Sequence, residues 1–179
     1  MPEFKTQLMD ESAVGRALMR ISHEIIEKNH GVEDVCLVGI HSRGVPMAGI
    51  LQRNIAGIEG VTVPVGSVDI SFYRDDLTHV ADAPQLKKTE FGFDVTGKKI
   101  VLVDDVLYTG RTVRAAIEAI FAAGRPAAVQ LAILIDRGHR QLPIRADYVG
   151  KNIPTSRSEM VAVSLPPCDG ETSVKLYEV

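Results

Sequence analysis

The stretch Ile100-Val-Leu-Val-Asp-Asp-Val-Leu-Tyr-Thr-Gly-Arg-Thr112 decides the reading of this 179-residue chain. Its first four residues are uninterrupted aliphatics, which suits a strand buried on both faces of a parallel sheet. Two carboxylates follow, Asp104 and Asp105. A Thr-Gly turn then opens a helix from about Thr112 to Ala123, stopped by Gly124 and Pro126. In an open parallel sheet, ligands bind beyond the carboxyl ends of the strands, so the two acids stand where a ligand would lie. Neighbours on an extended chain point to opposite faces, so one carboxylate can meet a ligand's hydroxyls while the other meets a different group or a metal's waters. Mg²⁺ favours such a site of hard oxygens, retained waters and substrate phosphates. The turn offers backbone N–H groups and the hydroxyls of Thr109 and Thr112 at a helix N-terminus, with Gly110 allowing close approach, which makes an anion site. A bare Asp-Asp after a strand is as readily a helix cap. The whole thirteen-residue arrangement is what favours phosphate binding.

Working outward, Ala13, Val14, Ala17, Leu18, Ile21, Ile25 and Ile26 recur at spacings of three and four. They predict an amphipathic helix from Asp10 to His30, with Asp10 or Ser12 as N-cap and Gly31 just past its end. Arg16, Arg20, His23 and Glu27 form a polar stripe on its solvent side. A strand is expected at Val35–Ile40, a helix at about Pro46–Gly57, and extended stretches at Val61–Val65 and Val68–Tyr73. Ala128–Ile135 reads as a buried strand, and Ala146–Val149, Met160–Val163 and Val174–Glu178 as short extended pieces. Strands alternating with helices indicate an α/β fold with a mainly parallel central sheet flanked by helices. The polar stretch between Tyr73 and Phe93 reads as a mobile flap. Without repeats or linkers, residues 1–179 read as one domain.

A composition of 45% hydrophobic and 24% charged residues is ordinary for a globular chain, and a net charge of −3 excludes a uniformly basic nucleic-acid binder. Charge is nevertheless segregated. From Arg137 to Arg157, the five cations Arg137, Arg140, Arg145, Lys151 and Arg157 face Asp147 alone, a local charge of +4. No apolar run approaches the roughly 20 residues of a membrane helix, and Met1-Pro-Glu-Phe-Lys-Thr6 has no signal-peptide core, so a cytoplasmic location without membrane attachment is expected. Cys36 and Cys168 belong to no metal-ligand spacing, and nothing pairs His79 or His139 with a nucleophile.

The thirteen-residue run resembles the phosphoribosyl-pyrophosphate motif of type I phosphoribosyltransferases. Asp136-Arg-Gly-His-Arg-Gln-Leu-Pro-Ile-Arg-Ala-Asp-Tyr-Val-Gly-Lys-Asn-Ile-Pro-Thr-Ser156 resembles the PyrR family of pyrimidine operon regulators, as do Leu37-Val-Gly-Ile-His-Ser-Arg-Gly44, Asp69-Ile-Ser-Phe-Tyr-Arg-Asp-Asp-Leu77 and the opening helix. The likeness thus covers nearly the whole chain. It implies a phosphoribosyltransferase fold whose flap spans about 73–93 and whose small hood is built from about 137–179 and the N-terminal segment. It also implies RNA-binding control of pyrimidine genes, by attenuation, in response to uridine nucleotides (UMP/UTP), joined to uracil phosphoribosyltransferase activity in pyrimidine salvage.

Residue by residue, the resemblance makes His41, Ser42, Arg43 and Gly44 the pyrophosphate loop. Gly44 would permit a tight bend there, and Arg43 would supply charge. Asp104, Asp105, Val106, Leu107, Tyr108, Thr109, Gly110, Arg111 and Thr112 would bind phosphoribosyl pyrophosphate, with Mg²⁺ held by Asp104 and Asp105 through substrate and waters. Arg137 would join the two acids in catalysis, in the Arg137–Arg140 part of the hood, and the backbone at Val161 would line the base pocket. Arg20, His23, Lys28, Arg140, Arg145 and Lys151 would form a basic RNA surface for pyrimidine-operon leader mRNA on a homodimer or higher homo-oligomer. Met19 stands where the family offers a threonine. Uracil itself rests on the resemblance. Two other readings stay open: a regulator with vestigial turnover, and a phosphoribosyltransferase for another nucleobase without RNA function.

Overall fold

The computed structural model describes residues 1–71 and 91–179. Strand β1 (Glu3–Met9) leads into helix α1 (Glu11–Lys28). Asp10 caps α1, its carboxylate accepting the Ala13 N–H at 2.8 Å. At the far end His30 (φ 54°) takes the left-handed position one residue before Gly31. Strand β2 (Val35–Ile40) is buried along its whole length, and α2 (Gly44–Glu59) follows it, ending at left-handed Gly60. Pro46 fits the first turn of α2, where its missing N–H would have had no helical partner.

Strand β3 runs only from Val65 to Val68. The extended stretch expected at Val61–Val65 therefore forms just its last residue into strand, because Pro64 has no N–H to give a ladder and offers only its carbonyl, to Leu37 N. Of the stretch expected at Val68–Tyr73, only Val68 is strand among the described residues. Asp69 Oδ1 accepts from both N and Oγ of Ser71 and turns the chain away. Most of the expected flap, and His79, lie outside the described residues.

Strand β4 (Lys99–Leu107), helix α3 (Arg111–Ala123), strand β5 (Ala128–Asp136) and strand β6 (Tyr148–Asn152) complete a five-stranded parallel sheet in the order β3-β2-β4-β5-β6. Alternate residues feed two cores. Val35, Leu37, Val101, Val103 and Ala132 pack under α1 and α2, while Cys36, Val38, Ile100, Leu102 and Ile133 pack under α3. The last strand starts two residues later than expected because Asp147 bonds to Leu131 through both its N–H and its side chain.

Strands β7 (Glu159–Ser164) and β8 (Ser173–Glu178) join β1 in a separate antiparallel sheet, order β1-β8-β7. This sheet falls within the segments expected to build the hood. Tyr148–Asn152, also within that expected segment, pair instead with β5 of the parallel sheet. Strand β1 was not foreseen, since only Met9 of its seven residues is buried and no alternation marks it. Met9, Val161, Val163, Leu165 and Val174 anchor the hood in the core beneath α1 and α2. Among the described residues no helix is long and apolar enough to cross a membrane.

Candidate active site

Asp104 and Asp105 lie within β4, which continues to Leu107, rather than beyond its end. The alternation of β4 changes here, because Val106 packs in the same core as Val103 while Leu107 joins the opposite one. The two acids occupy that irregular step and differ in setting. Asp104 is buried and accepts the Asp105 N–H at 2.9 Å, whereas Asp105 is half-buried and accepts the Val106 N–H at 2.9 Å. Burial, reinforced by the neighbouring Asp105 charge, pushes the Asp104 carboxyl well above the usual carboxylate range.

The loop between β2 and α2 presses on this step. A side chain at Gly44 would put its Cβ 2.3 Å from Val103 O, and one at Gly39 would come 2.5 Å from Gly44 O. Gly44 is thus required by backbone-to-backbone contact, and its role is close approach rather than the tight bend expected. Arg43 precedes α2 and does not stand free. Its Nε and Nη2 each donate at 3.0 Å to the carboxylate of Asp169, in the loop between β7 and β8. That pairing holds the Asp169 carboxyl below its ordinary range. Ser42 is exposed, and the exposed thiol of Cys168 sits 4.0 Å from its carbonyl. Cys36 is buried, which raises its thiol pKa.

The turn from β4 to α3 directs its carbonyls at the segment after β5. Leu107 O accepts from Arg137 N, Tyr108 O from Arg140 Nη1, and Thr109 O from the N–H groups of Gln141 and Leu142. Arg111 Nε adds a bond to Gln141 Oε1, and Thr109 Oγ1 accepts the Arg111 N–H at 3.3 Å. Gly110 (φ 94°) is the N-cap of α3, and no side chain caps the helix there. With Thr112 half-buried in the first turn, the N–H groups at this helix start and the partial positive charge of the helix dipole make an anion cradle.

Arg137 is buried, with its guanidinium 4.0 Å from the Tyr108 ring centroid. It donates to Thr155 Oγ1, to Ser156 O and, at 2.7 Å, to Glu159 O. His139 Nε2 donates to Thr155 O, and its ring meets Tyr108 edge-on. These bonds draw the start of β7 onto the β4–α3 turn. Strand β7 is an edge of the hood sheet and packs against β4. The Val161 side chain is buried in the core, so only its backbone could meet a ligand.

The six basic-surface residues separate into two kinds. The side chains of Arg145, Lys151 and His23 are exposed and bond to no described residue. Arg20 spans from α1 to the carbonyls of Val149 and Gly150 and pairs with Glu24, and Lys28 pairs with Asp147 at 2.7 Å. Arg140 is turned inward, donating to Ile144 O, Tyr108 O and, at 2.6 Å, Asp136 Oδ2. These bonds tie it to the loop after β5. Met19 is exposed on α1.

Sequence reasoning missed Asp169, Thr155 and the Tyr108–Arg137 contact. Asp169 is the one carboxylate in Leu165-Pro-Pro-Cys-Asp-Gly170, but nothing in its spacing ties it to Arg43. Among the described residues no cluster of three or more His, Cys, Asp or Glu side chains could enclose a metal by itself. The two aspartates suit a hard cation that keeps most of its shell from waters and ligand phosphates, as Mg²⁺ does.

Residues 5–167 match the family model described as phosphoribosyl transferase domain. The chain is 57% identical to a protein of Clostridium beijerinckii named Bifunctional protein PyrR, covering 98% of this chain and 99% of the relative. It is 58% identical to the protein of that name from Thermus thermophilus, over 98% and 97% of the two chains. Among solved structures it is similar to a Trypanosoma cruzi hypoxanthine phosphoribosyltransferase, with a TM-score of 0.77, 19% identity and coverage of 98% and 96%. A Bacillus anthracis hypoxanthine-guanine phosphoribosyltransferase gives 0.72 at 20% identity, covering 99% of each.

Proposed function

The chain belongs to the PyrR family of phosphoribosyltransferases, and from that premise we propose a double role. It joins uracil to the ribose 5-phosphate of phosphoribosyl pyrophosphate, yielding UMP and pyrophosphate. It also binds pyrimidine-operon leader mRNA and regulates pyrimidine genes in response to uridine nucleotides. The observation that carries the catalytic reading is the contact of Gly44 with Val103 at the foot of Asp104 and Asp105, which brings two phosphate-suited loops within touching distance.

In the transfer, the bond from ribose C1 to the diphosphate oxygen breaks, the bond from C1 to the base nitrogen forms, and that nitrogen's proton departs. Oxocarbenium character grows on the sugar while negative charge grows on the leaving group, so catalysis is largely charge placement. Asp104 and Asp105 would hold the ribose hydroxyls and, with the substrate's phosphates, the Mg²⁺. The cation would neutralise the departing diphosphate. The start of α3, with Thr109, Gly110 and Thr112, would take the 5-phosphate, and Ser42, Arg43 and Gly44 the diphosphate. Arg137 would stand on the leaving-group side, and the open edge of β7 at Val161 would offer its backbone to the base. Arg145, Lys151 and His23, with Arg20 and Lys28 beside them, would meet RNA phosphates, and two copies of the chain would double that surface.

The test is pyrophosphate release from phosphoribosyl pyrophosphate and Mg²⁺ with uracil, hypoxanthine or orotate in parallel. Uracil should be the base consumed, and Asp105→Asn should lower kcat by about 10²-fold or more if it handles a proton or the developing charge. Turnover with another base alone would overturn the uracil reading, and an Asp105→Asn variant as fast as the parent would remove that residue from the chemistry.

A further inference from the structure

We propose that Asp169 is a positioning residue for the diphosphate site, holding the Arg43 guanidinium in the orientation that receives the leaving group; this rests on the phosphoribosyltransferase reading above. Three observations combine. The carboxylate meets Nε and Nη2 of Arg43 with one oxygen each, both at 3.0 Å, a fork-to-fork pairing that fixes the guanidinium plane as well as its place. That pairing leaves Nη1 with no partner among the described residues. The carboxylate itself is anchored: Asp169 Oδ2 accepts the Leu165 N–H at 2.9 Å, the Asp169 N–H returns to Leu165 O at 3.0 Å, and Leu165 is fully buried just past the end of β7. The Arg43 side chain, in contrast, is 38% exposed and lies in a loop outside the core.

A long, partly solvated cation is thus held by a short acid that the hood fixes. The loop that would grip the diphosphate is tied to the sheet that would cover the base. A lone exposed ion pair contributes little, since solvent screens it. Its value here is directional: an arginine already oriented loses less rotamer freedom when the diphosphate arrives.

The experiment uses the full-length chain with Asp169→Asn, Arg43→Lys and the double variant. Asn keeps an oxygen for Leu165 N–H but presents an amide to Arg43, and Lys cannot form the fork. Asp169→Asn should raise KM for phosphoribosyl pyrophosphate roughly three- to tenfold, the scale of a directional charge-assisted contact, with KM for the base unmoved. Calorimetric titration with pyrophosphate and Mg²⁺ should show the same loss, and Asp169→Glu should restore part of it. In the Arg43→Lys background, adding Asp169→Asn should change little, because the pair acts as a unit.

An unaltered or lower KM for phosphoribosyl pyrophosphate in Asp169→Asn, or fully additive effects in the double variant, would overturn the proposal. A lower KM would mean that Asp169 competes with the diphosphate for Arg43. A parent chain that neither binds pyrophosphate with Mg²⁺ nor turns over would overturn the enzymatic reading and this proposal with it. Normal parent turnover with an unaffected Asp169→Asn would remove this proposal alone.

Discussion

Replacing Gly44 by alanine tests the contact on which the site is built. The added Cβ would lie 2.3 Å from Val103 O, 3.2 Å from Val103 C and 3.4 Å from the Asp104 Cα. All three are backbone atoms of the central strand, so no side chain can swing aside. Restoring an ordinary carbon–oxygen contact means moving the start of α2 by about 1 Å. Met47 and Leu51, fully buried on the same helix, resist that shift. Overpacking of this kind costs about 1–3 kcal/mol, or roughly 2–12 °C in Tm for a domain of this size. A misplacement near 1 Å at the reacting groups costs about 10²-fold in rate. Urea unfolding and pyrophosphate release should therefore both fall. Gly15→Ala is the control: Gly15 is an exposed position within α1 with nothing within 4 Å of its added Cβ. It should gain up to about 1 kcal/mol from helix propensity. A Gly44→Ala protein with the parent's urea midpoint and turnover would refute the claim that backbone contact sets the site.

Two further outcomes follow from charge. Because Asp104 has a raised pKa in the folded chain, its contribution to stability is greatest below the ordinary carboxylate value and is lost as pH rises through the raised one. Asp104→Asn should therefore match the parent in urea near about pH 4 and become the more stable protein toward neutral pH; a gap that stays constant with pH would contradict the burial argument. Lys151→Ala should reduce the salt slope of leader-RNA binding by about one counterion, while barely moving the urea midpoint. Arg140→Ala, which loses bonds to Ile144, Tyr108 and Asp136, should instead destabilise the fold by about 1–3 kcal/mol; equal behaviour of the two variants would contradict the division between outward and inward cations.

That division also marks where the sequence stops being readable. The central sheet and the phosphate-suited turn were legible because their signals are local: aliphatic runs such as Ile100–Val103, a carboxylate pair, and Gly110 before a helix. The fold class followed from alternation alone, and both core layers match it. Strand β1 was not legible, since an exposed edge strand leaves no periodic trace. The partners of the arginines were not legible either, because each is fixed by chain segments distant in sequence or by a turn whose shape the sequence does not state. Arg43 meets Asp169 across 126 residues, and Arg137 meets the Tyr108 ring.

A charge count treats every cation as available, whereas the structure gives the cations different partners. Of the five cations behind the local +4, Arg137 is buried in the hood contacts and Arg140 is consumed by Asp136 and two carbonyls. The side chains of Arg145, Lys151 and Arg157 are exposed and bond to no described residue. Affinity for RNA phosphate scales with the number of counterions released. Three outward cations from this segment, supplemented by Arg20 and Lys28 only when they leave their acid partners, set the number that one chain can offer. Two copies of the chain presenting these cations to one RNA would double the number of counterions released. A variant held monomeric should bind the leader with about half the parent's salt slope, as counterion release from a single patch demands.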